Sequence, residues 1–317
     1  MPIRNNWLRN LAWTTLGWNV LVILWGAVVR ATHSGAGCGN NWPLCNGEVI
    51  PVSPRVDTII EFTHRMMTGG ATILVLALLI GVLVGTEKGR HSYRGARIAA
   101  WITTLLLINE AFLGYLLVTL GYVTTNRSFG RVVVLSIHLS NTLLLLAALT
   151  VTAALLTRDV AQPRITASLK TLWWAAAGLA ATMLVGVSGS LAALGDTLFP
   201  SATLAQSFAQ DFSATAPLLL RLRWVHPAAA CVAAVFVGWL VVHAKGGRAQ
   251  GRLRWLVVTL LGVQFLLGIA DVLLLAPVWM QILHLFGADL YWIALVLLLL
   301  SLLLDETPEP VSASNPL

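Results

Sequence analysis

Long apolar runs separated by short polar segments dominate this chain from Leu11 to Leu304. Eight of these runs approach the roughly 20 residues that a helix needs to cross a bilayer. The pattern therefore predicts an all-α integral membrane protein with eight transmembrane helices. The predicted helices lie near 11-29, 59-85, 96-120, 132-156, 171-195, 222-243, 255-276 and 279-304. Composition agrees, since 57% of the 317 residues are hydrophobic and 10% are charged.

The second group of four predicted helices repeats features of the first. His64 and His226 each follow soon after the start of the second helix of a half, and His138 and His284 do so in the fourth. Helix three carries Glu110 where helix seven carries Gln264. Because each half has an even number of spans, both halves have the same orientation. We predict two tandem four-helix bundles, 1-158 and 159-317, related by a pseudo-twofold axis along the membrane normal. A weaker echo links Gly26 in helix one with Gly186 in helix five.

The positive charge of the chain indicates its topology. The net charge is +7, but the basic residues lie in loops beside the membrane and form no single patch, so nucleic acid is not an expected partner. Most of the 20 Lys and Arg fall on the side that holds the N-terminus. The positive-inside rule then predicts that both termini lie on the cytoplasmic side of a bacterial inner membrane, whose lipid surrounds the helices. We expect 11-29 to be a retained helix and not a signal peptide.

The four histidines within the spans are the main candidates for chemistry. Metal-binding side chains are costly inside a membrane and are functional by default. Each lies roughly five residues into an even-numbered helix, so all four share a depth of about 8 Å below the outer surface. Two per half, on separate helices, can ligate a heme iron from opposite faces. A single histidine could instead hydrogen-bond a neighbouring helix, and a zinc site would need tighter clustering.

Six arginines lie on the outer side, against the general charge bias. Their forked guanidinium groups suit carboxylates, so they are possible partners of heme propionates, although each could also reach lipid phosphate. They are Arg30, Arg65, Arg127, Arg131, Arg221 and Arg223.

Glu61 precedes His64 by three residues and therefore shares a helix face with it. The second half has Arg223 at the equivalent position, so a carboxyl group accompanies one histidine pair alone. Glu61 is a candidate for proton or charge management, and the alternative is an interfacial ion pair with Arg65 or Arg55. In the first outer loop, Cys38 and Cys45 could close a disulfide that is either structural or redox-active.

These residues resemble the heme A synthase family. The motif Val29-Arg30-Ala31-Thr32, followed by Ser34-Gly35, Cys38, Trp42-Pro43, Cys45 and Gly47, carries the resemblance together with Glu61, His64-Arg65 and the three later histidines, over about Gly26 to Trp292. Two positions depart from the expected pattern. His33 stands where glycine is expected, and Glu110 where glutamine is expected.

The resemblance implies that the chain is an oxidoreductase. It would oxidise a methyl group of heme O to a formyl group by successive hydroxylations, giving heme A for terminal oxidases. His64 and His138 would flank the substrate heme, with Glu61 as a catalytic carboxylate. His226 and His284 would hold a heme B cofactor, and Cys38 and Cys45 would form the disulfide known in bacterial members.

The expected partners are a heme O synthase and an electron donor, and a homo-oligomer is possible. Two other classes stay open. A diheme b-type cytochrome that takes electrons from quinol would use the four histidines without modifying a heme. A transporter would explain the duplication but not four histidines at one depth.

Overall fold

The computed structural model describes residues 6–52, 54–85, 94–158, 167–243 and 248–304. The predicted bounds of the two halves meet at 158 and 159, beside a segment that lies outside the described residues. The helices of the N-terminal half are α1 (Asn6–Ala31), α2 (Val56–Gly85), α3 (Arg94–Thr119) and α4 (Phe129–Thr157). Those of the C-terminal half are α5 (Leu169–Leu198), α6 (Leu204–Asp211), α7 (Leu218–Leu222), α8 (Val225–His243), α9 (Arg248–Leu273) and α10 (Val278–Leu303).

Within the described residues, eight helical segments are long and apolar enough to cross a membrane, as the apolar pattern predicts. Seven are the helices α1 to α5, α9 and α10, and the sixth runs through α7 and α8 together, from Leu218 to Val242. The largest difference in bounds concerns α9, which begins at Arg248 although its apolar run begins near 255. A helix can continue into the polar interface because long basic side chains reach the surface from there, so the apolar run underestimates its length.

The sixth span breaks between Leu222 and Val225. Pro227 lies two residues into α8 and has no backbone N–H, so it cannot bond to the carbonyl of Arg223 as a continuous helix would require. In the first turn of a new helix the missing N–H does no harm. The proline therefore separates a short outer segment from the main part of the span.

The two halves repeat one packing scheme. In the N-terminal half α1 contacts α2, α2 contacts α3, α3 contacts α4, and α4 returns to α1. In the C-terminal half α5 contacts α8, α8 contacts α9, α9 contacts α10, and α10 returns to α5. The halves meet through α1 and α4 on one side and α5 and α10 on the other. This arrangement is consistent with the predicted pseudo-twofold axis.

Trp292 of α10 lies at the contact between the halves. It is 2% exposed and packs in the apolar cluster formed mainly by α1, α2 and α4. A buried indole N–H needs an acceptor. Trp292 Nε1 donates to the Leu143 carbonyl of α4 at 2.9 Å. Apolar packing and one directed hydrogen bond therefore fix α10 of the C-terminal half against α4 of the N-terminal half.

Candidate functional site

All four histidines lie in the N-terminal parts of even-numbered spans. His64, His138, His226 and His284 follow the first residue of their spans by eight, nine, eight and six positions. At 1.5 Å per residue this corresponds to about 9–14 Å along the helix. These counts exceed the roughly five positions predicted from the apolar runs, because each helix begins before its run. The depth of the histidines below the membrane surface stays a prediction.

The C-terminal pair has a geometry that fits a metal ion. The ring centroids of His226 and His284 are 6.2 Å apart, with 82° between the ring planes. An ion held between two imidazoles by bonds of about 2 Å separates their centroids by about 6 Å. His226 Nδ1 lies 3.1 Å from the Val185 carbonyl oxygen, which leaves Nε2 for a metal. Within the described residues His284 Nδ1 is buried and has no hydrogen-bond partner.

Glycines on neighbouring helices make room for three of the rings. A Cβ added at Gly26 of α1 would lie 3.1 Å from the His64 ring, and one at Gly189 of α5 would lie 2.8 Å from the His226 ring. Gly268 of α9 has the same relation to His284, at 3.4 Å. The structural counterpart of Gly26 is therefore Gly189. The echo with Gly186 predicted from sequence is wrong by about one helical turn, since Gly186 packs against a leucine and not against a histidine.

Glu61 is 3% exposed and both of its carboxylate oxygens accept hydrogen bonds. Oε2 accepts from the Cys38 backbone N–H at 2.8 Å, and Oε1 accepts from Arg65 Nη2 at 2.6 Å. The ion pair with Arg65 named as the alternative role is therefore present, whereas Arg55 pairs with Asp57. The pairing holds the carboxylate still beside His64, so it is compatible with a catalytic role.

The outer loop is fastened to α2. Cys38 and Cys45 form the predicted disulfide, and both side chains are buried. Arg65 Nη1 donates to the carbonyls of Asn41 and Leu44, each at 2.6 Å. The loop and Arg65 thus together enclose Glu61 from the outer side.

His33 explains one of the two departures from the family pattern. Its φ is 57°, in the left-handed region that a glycine adopts without steric penalty. The glycine expected at this position is therefore a backbone requirement. Histidine occupies the same conformation here at some cost in free energy.

In the C-terminal half, Arg223 occupies the place of Glu61 and has carboxylate partners of its own. Its guanidinium pairs with Asp196 of α5 at 3.0 Å and with Asp211 of α6 at 3.1 Å. Burial raises the pKa of Asp211, and the nearby Arg223 opposes this change. The short helix α6 therefore closes the outer end of this half, as the disulfide loop does in the other. Asp196 and Asp211 were not identified from the sequence.

Arg30 links the two halves through hydrogen bonds. It belongs to α1, but Nη1 donates to Thr197 Oγ1 of α5 and Nη2 to Gln281 Oε1 of α10, each at 3.0 Å. Gln281 precedes His284 by three residues, so it lies one turn outward on the same helix face. The guanidinium of Arg30 is thereby placed beside the outer edge of the C-terminal histidine site.

The other arginines predicted as propionate partners also lie at the outer ends of helices. Arg127 stacks on the Phe199 ring at 4.4 Å. Arg131 Nη1 donates to the backbone carbonyls of Thr124 and Asn126 at 2.8 Å. Arg221 donates to two carbonyls of the segment that precedes α7. These contacts keep all three on the histidine side of the bundle, and their role toward propionates stays a prediction.

The structure thus defines a class of protein: an all-helical membrane bundle whose described residues form eight spans, with a histidine in the N-terminal part of each even-numbered span. Residues 9–296 match the COX15-CtaA family, described as cytochrome oxidase assembly protein. The chain belongs to this family.

Curated relatives carry two different names. Protoheme IX farnesyltransferase of Thermus thermophilus is 40% identical over 317 residues, covering 93% of this chain and 48% of that protein. The chain therefore spans about half the length of that relative. Heme A synthase of Alkalihalophilus pseudofirmus is 41% identical over 95 residues, covering 30% of this chain and 31% of that protein. Heme A synthase of Halalkalibacterium halodurans is 41% identical over 97 residues, covering 30% of each.

Proposed function

We propose that the chain is a heme A synthase, which oxidises a methyl group of heme O to a formyl group by successive hydroxylations and loss of water. Heme O, the substrate, would lie between His64 and His138. Heme B, the cofactor, would be held by His226 and His284. The observation that carries the proposal is the buried carboxylate of Glu61, one helical turn from His64, in a duplicated fold whose other half has Arg223 at that place.

The residues of the C-terminal half fit a heme B group. The 6.2 Å between the ring centroids matches the spacing of two imidazoles that ligate one iron atom, and the contact of His226 Nδ1 with the Val185 carbonyl leaves Nε2 available to that iron. Heme B ligated by two histidines supplies electron transfer and has no open position for oxygen. Arg30 stands beside the outer edge of this site, where it would neutralise a propionate.

Glu61 would manage protons and charge at the substrate site. Replacing methyl C–H bonds by oxygen withdraws electrons and releases protons, and a fixed carboxylate near the reacting group can accept protons or stabilise positive charge. The Cys38 N–H and Arg65 hold this carboxylate in one orientation. The disulfide loop therefore has a positioning function in addition to closing the outer face.

Glu61→Gln tests the catalytic role, because it preserves the shape of the side chain and removes its charge. The variant is expected to retain heme B while cells accumulate heme O or a partly oxidised alcohol, measured by chromatography of extracted hemes. Glu48→Gln is the matched control, since Glu48 belongs to the same loop and its carboxylate accepts from the Val52 N–H at 2.9 Å. Normal heme A yield from Glu61→Gln would leave Glu61 as a structural ion-pair partner of Arg65.

A diheme b-type cytochrome is the second candidate, because both halves carry a histidine pair. The same extraction separates the two functions. Heme A in cells that express this chain with a source of heme O supports the synthase. Unaltered heme B as the sole pigment supports the cytochrome.

One relative supports a partner, and the disulfide supports an orientation. The Thermus relative bears the name of an enzyme that farnesylates protoheme, which suggests that a heme O synthase supplies the substrate. The disulfide indicates that the histidine side faces an oxidising compartment. We therefore propose that both termini lie on the cytoplasmic side of a bacterial membrane. An electron donor would complete the system, and the chain could form a homo-oligomer.

A further inference from the structure

Glu110 of α3 is held in a polar network inside the N-terminal half. Asn141 Nδ2 donates to Glu110 Oε2 at 2.5 Å, and the Thr142 hydroxyl is hydrogen-bonded to Oε1. Asn141 is itself fixed, because its Oδ1 accepts from Asn109 Nδ2 at 2.8 Å. The network joins α3 to α4 and leaves the carboxylate little freedom to rotate.

The carboxylate of Glu110 lies next to His138. Oε1 is 3.4 Å from His138 Nδ1, and this ring nitrogen is buried without a hydrogen-bond partner in the described part of the chain. A slight turn of the imidazole would bring the pair to hydrogen-bonding distance. Among the described residues this is the sole histidine–carboxylate pair within 4.0 Å, whereas His226 uses a neutral backbone carbonyl.

The C-terminal half has a neutral side chain at the same place. Gln264 of α9 corresponds to Glu110, as His284 corresponds to His138. Gln264 Nε2 is buried and has no hydrogen-bond partner within the described ranges. The two halves therefore differ in charge at this corresponding position of α3 and α9.

We propose that Glu110 is a positioning residue that accepts the Nδ1–H of His138 and directs Nε2 toward the heme in the N-terminal half. A carboxylate behind a metal-bound histidine increases the electron donation of that ligand, which stabilises the oxidised metal. The reduction potential of the heme held by His64 and His138 is thereby lowered relative to that of the heme in the C-terminal half. This makes the N-terminal heme the easier of the two to oxidise. The inference rests on the proposed function, because it requires a heme in each half.

Exchanging the two side chains provides the test. Full-length Glu110→Gln and Gln264→Glu proteins, purified in detergent and supplied with heme O and heme B, are titrated by redox potentiometry and examined by electron paramagnetic resonance. Glu110→Gln is expected to raise the potential of the N-terminal heme and change its resonance, leaving the other heme unaltered. Gln264→Glu is expected to lower the potential of the C-terminal heme. The conservative Glu110→Asp variant keeps a carboxylate, so the potential of its N-terminal heme should lie between those of the wild-type and Glu110→Gln proteins.

Each result of these titrations either supports or overturns the inference. Unaltered potentials and resonances in Glu110→Gln, with both hemes retained, would overturn the inference. If Glu110→Gln loses its N-terminal heme, Gln264→Glu decides, and an unchanged C-terminal potential overturns the inference. The proposed function fails separately, through absence of heme A in cells or through a wild-type protein that binds heme in the C-terminal half alone when heme O is also supplied.

Discussion

Replacing Gly189 with alanine would show how closely α5 must approach the C-terminal histidine pair. The added Cβ would lie 2.8 Å from His226 Cε1, which is 0.6 Å short of the 3.4 Å where ordinary contact begins. In the heme-free protein the ring can turn away. Metal ligation fixes it, and ligand distances tolerate changes of about 0.2 Å. Overpacking of this kind costs about 1–3 kcal/mol, which corresponds to roughly 5- to 150-fold weaker heme binding.

The assay is heme B titration of the purified protein, followed through its low-spin absorption spectrum. Gly238→Ala in α8 is the matched control, because a Cβ there would meet nothing within 4 Å. Gly26→Ala should weaken the N-terminal site less, since its Cβ would lie 3.1 Å from His64. Wild-type heme affinity in a folded Gly189→Ala protein would refute the reasoning.

Three further predictions follow from contacts at the outer face. Replacing Cys38 and Cys45 with serine should free the loop from Glu61 and lower the heme A yield while heme B stays bound. An unchanged heme A yield would contradict this, and mass spectrometry of unreduced peptides checks the disulfide itself. Arg30→Gln removes a positive charge beside the C-terminal site and should lower the potential of its heme, whereas an unaltered potential would exclude the contact with a propionate. His33→Gly should raise the free energy of unfolding by about 1 kcal/mol, measured by thermal denaturation, and a decrease in that free energy would argue against strain at this position.

The spans and the four histidines could be predicted because each carries a local signal. An apolar run of sufficient length is a span, and a histidine inside it is costly without a function. The helix bounds were predicted less well, because the first turns of the helices precede the apolar runs. In α9 that difference amounts to the segment from Arg248 to 254.

The short helix α6 had a signal that the apolar pattern does not contain. Thr203 and Gln206 form a T-x-x-Q capping sequence, and the Thr203 hydroxyl accepts from the Gln206 N–H. This sequence would have indicated the helix and, with it, the position of Asp211.

The bridging role of Arg30 had no such signal. Its partners Thr197 and Gln281 are 167 and 251 residues away in sequence. A basic residue at a helix end has the same local pattern whether it contacts lipid, propionate or another bundle. Similarly, Glu110 could be identified as unusual from sequence, but its neighbours Asn141 and Thr142 are brought to it by the packing of α3 on α4.

Each four-helix ring closes on itself, and this bears on the order of events during synthesis. Domains emerging from the ribosome generally fold as units, the N-terminal one first. Because α4 returns to α1, the pair His64 and His138 can be assembled before α5 has been made. The pair His226 and His284 must await α10, which docks through Trp292 onto a surface that already exists. Assembly of one histidine site can therefore begin on the ribosome before the other, which requires that α10 has been made.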